Sequence, residues 1–592
     1  TKTSANYGIG RLTSETFSGG PNNSLSGSYC YAYDARGEET NRTLTIAGDC
    51  RSSSGYSVGT NYDDAGNILT QTYPTGEVVT NSYNSADWLT GVSTSQGTTT
   101  LLSNATYSSS QGSEYGGPAG LMTSANLDNG AFVATWSHDA LLRASGSYLS
   151  CISRCGSPAF SDSRTFDAAG NVTSARTQFG GILTADVQGF CYDEQDRLIW
   201  AGTSGSPPSG CTQPVTPGSF GTAGYQAAYS YDPLGRLTSG PLGSYSYADP
   251  KHLHAATSIG SAWTGSYDAA GNLTCRAASS VSTCAGTQTG AQLTYNPQGS
   301  LAIWQNASSS PTTVANFLYD GQGNRVEQQL SQNGTTTTTI YVGNLEELVS
   351  SGSGMTTQTY YYANDHRIAM AVNGAFSYLA SSGLGSVEVA IPASNLSAQV
   401  NQLYEPYGNL RYSNGAMPTD YGFTGQHSDS ASGLDYYNAR YYDPVAGQFA
   451  SADSMLPGNG FDIWGLSRYA YVEGNPESRV DPSGNVIQCA DSCGGEEPVT
   501  TGTGTTDAPG YVPPTPDAGR TSLGNPTTQS STCNLISCVG EGANWVLFHL
   551  LDAFAQPVYA PSSKGKENGL EQTARLPKLS TPGGSTIFSR AR

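Results

Sequence analysis

The chain has 592 residues and a net charge of −20, with only 12% charged residues. That balance argues against nucleic acid or an anionic membrane as a partner of the main body. No apolar run reaches the roughly 18 residues that a membrane-spanning helix needs. Composition then points to β structure. There are 37 Tyr against 15 Phe, beside 72 Gly. Tyrosine and threonine suit half-buried strands, glycine suits turns, and helix-period segments are nearly absent. The expected fold class is therefore all-β, antiparallel, with many short turns. Length alone would suggest about three to five domains, a count that a repeat architecture would change.

A repeat runs through the first 330 residues. Its clearest copies begin at Tyr62-Asp63-Asp64-Ala65-Gly66-Asn67, Phe166-Asp167-Ala168-Ala169-Gly170-Asn171, Tyr231-Asp232-Pro233-Leu234-Gly235-Arg236 and Tyr267-Asp268-Ala269-Ala270-Gly271-Asn272. Weaker copies begin at Tyr33, Tyr83, His138, Tyr192, Tyr295 and Tyr319. The aspartate is placed to cap its own turn and the glycine to supply positive φ. Asn or Arg then leads into apolar-polar alternation, and the leading Tyr packs inward. Each unit reads as strand, tight turn, strand. One unit cannot bury its own face, whereas stacked neighbours can. The repeats carry no expected chemistry.

The cysteines fall in neighbouring couples: Cys30 with Cys50, Cys151 with Cys155, Cys191 with Cys211, Cys275 with Cys284, Cys489 with Cys493, and Cys533 with Cys538. Six local disulfides fit this spacing and would imply an oxidising compartment. Free thiols are the alternative. A zinc site fits poorly, since there is no CxxC and no histidine lies close to a couple. No cofactor or metal is expected.

Residues 404–485 are the densest in aromatics, glycines and Asp-Pro pairs. They read YEPYGNL, then YGFTGQHSDSASGLDYYNARYYDPVAGQFASAD, then WGLSRYAYVEGNPESRVDPSGN. Together with the repeats, this stretch resembles the Rhs (YD-repeat) family, which includes bacterial polymorphic toxins, toxin-complex C components and, more distantly, teneurins. The resemblance covers about residues 20–485. It implies that the strands spiral into a large hollow β-shell, with 1–340 as YD-repeat shell and 341–403 as further shell strands. Within the latter, Tyr378-Leu379 and Gly383–Val387 resemble the step before the family's core segment. Residues 404–485 would be the shell-closing core, and 486–592 a variable C-terminal region.

The resemblance also implies chemistry. Arg440 lies in YYNARYYDP, Asp453 in FASAD and Asp481 in DPSGN. In self-cleaving members an arginine and two aspartates at these motif positions form an aspartyl-protease-like site, which cuts after the last residue of DPxGL. Carried over, the scissile bond is Asn485–Val486. Two close carboxylates share a proton, so one activates water while the other donates to the carbonyl oxygen. Asn485 departs from the family's Leu, whose apolar side chain would anchor in a pocket. The alternative is that Asp453 and Asp481 cap turns and Arg440 makes a structural salt bridge. Asp435, Asp443 and Asp462 read as turn residues, and His427 as a solvated loop histidine.

Beyond the core, residues 494–530 are rich in Gly, Thr and Pro and read as a linker. Residues 542–556 form the one convincing helix candidate, apolar nearly all round. The tail from 560 onward is mildly basic. His549 and Asp552 are three apart, a spacing common by chance, and no phosphate loop, HExxH or GxSxG occurs. No N-terminal leader is recognisable after Thr1, which leaves both a mature product and a partial chain open. Two functions follow. One is an exported shell that encloses its own C-terminal region and releases it by self-cleavage, as in toxin delivery. The other is an extracellular structural or adhesive fibre or surface protein without enzymatic activity. Expected partners are the chain's own C-terminal region, other copies of itself, and surface glycans or proteins.

Overall fold

The YD repeats fold as hairpins whose turns are built by the residues singled out above. Between strands Tyr56–Tyr62 and Ile68–Thr72, Asp63 Oδ1 accepts the backbone N–H of Ala65 and of Asn67, both at 2.9 Å. Gly66 takes φ +94°, a conformation that side chains resist. Asp167, Asp232 and Asp268 cap the corresponding amides of their own turns. A register shift sits just before the leading aromatic of these repeats, at Asn61/Tyr62, Thr165/Phe166, Ser230/Tyr231 and Ser266/Tyr267. Such bulges bend and twist the ladder.

The excess of Tyr over Phe has a structural cause. The repeat tyrosine donates its hydroxyl backward, to the carbonyl of the residue that restarts the strand after the previous turn. Tyr83 reaches Ile68 at 3.1 Å, Tyr192 reaches Val172 at 2.8 Å, Tyr231 reaches Leu198 at 3.0 Å and Tyr319 reaches Leu301 at 2.7 Å. Phenylalanine fills the same volume but cannot make this stitch.

The computed structural model describes residues 7–490 apart from 98, 109–119, 153–157, 183, 204–223, 279–281, 308 and 456–465. All of them fall in one compact unit, Thr1–Pro513. The expected linker at 494–530, the helix at 542–556 and Asp462 lie outside the described residues. Among those described, sixteen strands from Ser14–Gly19 to Gln226–Ala228 form one antiparallel sheet, each paired with its sequence neighbours. Eighteen more, from Ser230–Tyr231 to Leu410–Ser413, form a second sheet of the same order. No helix among the described residues is long and apolar enough to cross a membrane.

The sheets bury their apolar faces on one another. Leu25, Tyr29 and Leu44 of the first cluster with Leu318, Val326 and Leu348 of the second. Further along, Leu102, Phe132 and Phe160 pack with Tyr361, Tyr378 and Val389. Fully burying a side chain of this size contributes about 1.5–3 kcal/mol. Hydrogen bonds cross the same contact: Tyr73 donates to the carbonyl of Tyr360 at 2.9 Å, and Tyr361 to Glu77 at 2.8 Å.

Disulfides join Cys30 to Cys50 and Cys275 to Cys284. Cys151, Cys191 and Cys489 are disulfide-bonded as well. Cys155, Cys211 and Cys493, and the couple Cys533 and Cys538, lie outside the described residues.

The core segment forms a small sheet of strands His427–Asp429, Leu434–Tyr437, Arg440–Asp443 and Gln448–Phe449. It docks on the turns of the repeats. Tyr469 donates to the carbonyl of Gly271 at 2.7 Å, Asn475 to Asn171 Oδ1 at 2.7 Å, and Tyr436 to the carbonyl of Gly323 at 3.2 Å. Asp443 opens a turn as expected, accepting the N–H of Val445 at 3.1 Å. Its carboxylate also accepts Trp263 Nε1 at 2.8 Å and Arg276 Nε at 2.6 Å, fixing core to repeats. Asp435 is not a turn residue. It lies within Leu434–Tyr437, and burial pushes its carboxyl up to about 8.

Candidate active site

Three turns of the core segment converge on Arg440. Arg440 opens its strand opposite Tyr437, across a tight connection in which Asn438 takes φ +55°. Asp453 follows the strand Gln448–Phe449 and is fixed by its N–H to the carbonyl of Arg468 at 2.9 Å. Its Oδ1 caps Met455 N–H at 2.8 Å. Asp481 follows the short strand Arg479–Val480, which pairs with Gln488–Cys489, so the DPSGN turn loops back past the site.

The guanidinium gathers these pieces. Arg440 Nη2 lies 2.9 Å from Asp453 Oδ2 and 3.2 Å from Asp481 Oδ2. Nη1 donates to the carbonyl of Arg468 at 3.0 Å, and Nε donates to the carbonyl of Gly484. The plane rests on the Phe449 ring, 3.6 Å from its centroid. Arg440, Asp453 and Asp481 are 6%, 5% and 1% exposed.

Asp481 faces two ways. While Oδ2 meets Arg440, Oδ1 accepts the backbone N–H of Asn485 and of Val486, each at 3.0 Å. Ser483 Oγ shares the same two amides at 3.2 and 3.1 Å. Ser454 Oγ contacts Asn485 Oδ1 at 3.5 Å, so the asparagine that replaces the family's leucine has a polar neighbour. Gly484 makes the turn possible. It sits at φ +72°, and a Cβ there would lie 2.3 Å from the carbonyl oxygen of Tyr437.

Burial raises both carboxyls above the usual carboxylate range, and Arg440 pulls both back. Burial likewise lowers Arg440 from its ordinary value, against the pull of Asp453 and Asp481. Both acids meet the same guanidinium nitrogen, which couples their titrations. Sequence reasoning named Arg440, Asp453, Asp481, Asn485 and Val486, and the structure brings all five together. It missed Ser483, Arg468 and Phe449; the SG of DPSGN was the signal available for the first. His427 is not a solvated loop residue. It lies on a strand with Nδ1 3.0 Å from Asp420 Oδ1.

The fold defines a β-shell protein built of YD repeats, with a core segment docked on their turns. Residues 219–459 match the teneurin YD-shell family model, and residues 62–99 match the RHS repeat. Over these residues the chain carries the repeats of RHS and YD-shell proteins. It is 26% identical over 191 residues to the tRNA nuclease WapA of Bacillus subtilis (strain 168), covering 31% of this chain and 8% of that protein. It is 28% identical over 223 residues to toxin subunit YenC1 of Yersinia entomophaga, covering 33% of this chain and 22% of that one. The crystal structure of TcdB2-TccC3 aligns with a TM-score of 0.61 at 19% identity, over 77% of this chain and 24% of that one. The fold is thus the shell fold of that complex, and this chain spans under a quarter of each protein it matches here.

Proposed function

We propose that this chain is the shell of an exported toxin-type protein, which cuts itself at the end of the core segment and frees residues 486–592. The supporting observation is the convergence of Arg440, Asp453 and Asp481 on one turn, with the Val486 amide held at 3.0 Å by Asp481. Water adds to the Asn485 carbonyl carbon as the ionised member of the pair takes its proton. The protonated member, with the arginine, stabilises the oxygen that gains charge. Asp481, already against the Val486 nitrogen, returns a proton to it as the C–N bond breaks. The products are a new carboxyl group at Asn485 and a new amine at Val486.

A neighbouring register has its own support. Arg440 Nε holds the Gly484 carbonyl and Asp481 holds the Asn485 amide, which addresses the Gly484–Asn485 bond in the same way. Product masses separate the two registers. The disulfides support export to an oxidising compartment.

The second reading is an uncut extracellular structural or adhesive protein. It is favoured by the completeness with which Arg440 is already paired: two carboxylates and two carbonyls satisfy the guanidinium without any reaction. Intact mass of the purified full chain beside Asp481→Asn separates the readings. A fragment ending at Asn485, absent from the variant, supports cleavage. One uncut chain in both supports the structural protein.

A further inference from the structure

A second cluster joins the eighteen-stranded sheet, the larger of the two, to the core segment and takes no part in the site above. Glu347 lies in strand Glu346–Ser351, and Asp420 precedes Tyr421, the bridge partner of His427. One oxygen of each carboxylate and one ring nitrogen all lie within 4.8 Å of one another. His427 Nδ1 is 3.0 Å from Asp420 Oδ1 and 3.7 Å from Glu347 Oε1. Glu347 is 4% exposed, and its Oε1 makes no hydrogen bond.

That unpartnered oxygen is the informative one. A carboxylate oxygen buried without a partner carries its full desolvation penalty. A proton on the imidazole serves Asp420 but not Glu347, because 3.7 Å is beyond hydrogen-bond reach. A single ion would serve all three atoms. Ligands about 2.1 Å from one ion lie roughly 3.0–3.4 Å apart in octahedral or tetrahedral arrangements. The separations of 3.0 and 3.7 Å from His427 Nδ1 bracket that range. The Asp420 side chain is 34% exposed, which leaves a solvent side for water ligands. Rings fix the histidine: Tyr421 lies tilted at 35° with its centroid 3.9 Å away, and Tyr341 meets it edge-on at 5.4 Å. The neighbouring cation Arg325 is paired with Asp429 at 2.8 Å.

We propose that Glu347, Asp420 and His427 bind a divalent transition-metal ion, which clamps the core segment to the large sheet. One imidazole and two carboxylates, without thiolate, suit Zn²⁺ or Mn²⁺. The clamp is structural and independent of self-cleavage.

The test uses the full chain, treated with chelator and dialysed, then titrated separately with zinc chloride and manganese chloride. Calorimetry and thermal unfolding are the readouts. One ion is expected per chain for at least one of the two metals, with a higher unfolding temperature on binding. Affinity should fall at least tenfold in both Glu347→Gln and His427→Gln. If Glu347→Gln does not fold, the wild type and His427→Gln decide. No saturable binding by the wild type, or unchanged affinity in the folded variants, overturns the assignment and leaves His427 as a hydrogen-bond partner of Asp420 alone.

Discussion

The amide of Val486 donates to Asp481 Oδ1 at 3.0 Å, so the carboxylate that opens the last turn of the core also holds the peptide five residues downstream. Its other oxygen meets Arg440 at 3.2 Å. Turn closure and proposed chemistry therefore use one side chain. Asp481→Asn is nearly isosteric with the turn residue and removes the charge that the proposed chemistry uses. Self-cleavage is expected to slow by roughly 10²–10⁴-fold, the usual worth of a positioned acid–base group. Asp453→Asn, which caps Met455 without touching Val486, should slow it comparably. A time course of fragment formation after refolding measures both.

Gly484 tests the geometry without touching a charge. Its φ of +72° strains any side chain, and a Cβ would collide with the Tyr437 carbonyl at 2.3 Å. Gly484→Ala is expected to displace Asn485 and Val486 from Asp481. Cleavage should be lost, with about 1–3 kcal/mol of stability where the strain is retained. Denaturant unfolding followed beside the cleavage assay checks both effects.

Glu477 sets a pH dependence. Burial pushes its carboxyl up to about 7, opposed by Arg164 and Arg411 and reinforced by Asp162. The folded state therefore keeps a proton that the unfolded chain gives up from about pH 4.5 upward. Stability is highest below that point and falls as the pH rises toward about 7, on the order of 3 kcal/mol for this group. Asp435, pushed up to about 8, extends the fall to higher pH. Glu477→Gln should flatten the slope of unfolding free energy between pH 5 and 7, measured by urea titration.

The tyrosine stitch makes a separate prediction. Tyr192→Phe removes the hydroxyl that reaches Val172 across the ladder at 2.8 Å. A loss of about 1–2 kcal/mol is expected, one hydrogen bond plus an unsatisfied carbonyl. Phe166 already lacks this hydroxyl, so Phe166→Ile should cost its packing and the contact of Arg143 over its ring at 4.3 Å, but no stitch.

Most of the repeat was legible because its chemistry is local. Asp63 and Gly66 build a turn from residues that are neighbours in sequence, and the same spelling recurs at Asp167, Asp232 and Asp268. The stitch was not legible, because Tyr192 and Val172 meet only after the strands pair, and the acceptor is a backbone carbonyl that any residue offers. The site divides the same way. Arg440, Asp453 and Asp481 were named through motif resemblance, whereas Arg468 contributes a carbonyl and Ser483 a hydroxyl within a turn. Asp435 and His427 were misread because polar residues in HSDSASGLD resemble a loop. Burial beneath the large sheet turns those positions into strands. Glu347, in an ordinary strand 80 residues before His427, gave no sign that it would face it.

The most direct measurement is the intact mass of the purified full chain, reduced and denatured, beside Asp481→Asn. The account predicts two wild-type species, one ending at Asn485 and one beginning at Val486, and a single full-length species in the variant. A single uncut chain in both proteins would contradict self-cleavage and leave Arg440, Asp453 and Asp481 as the structural lock of the core segment.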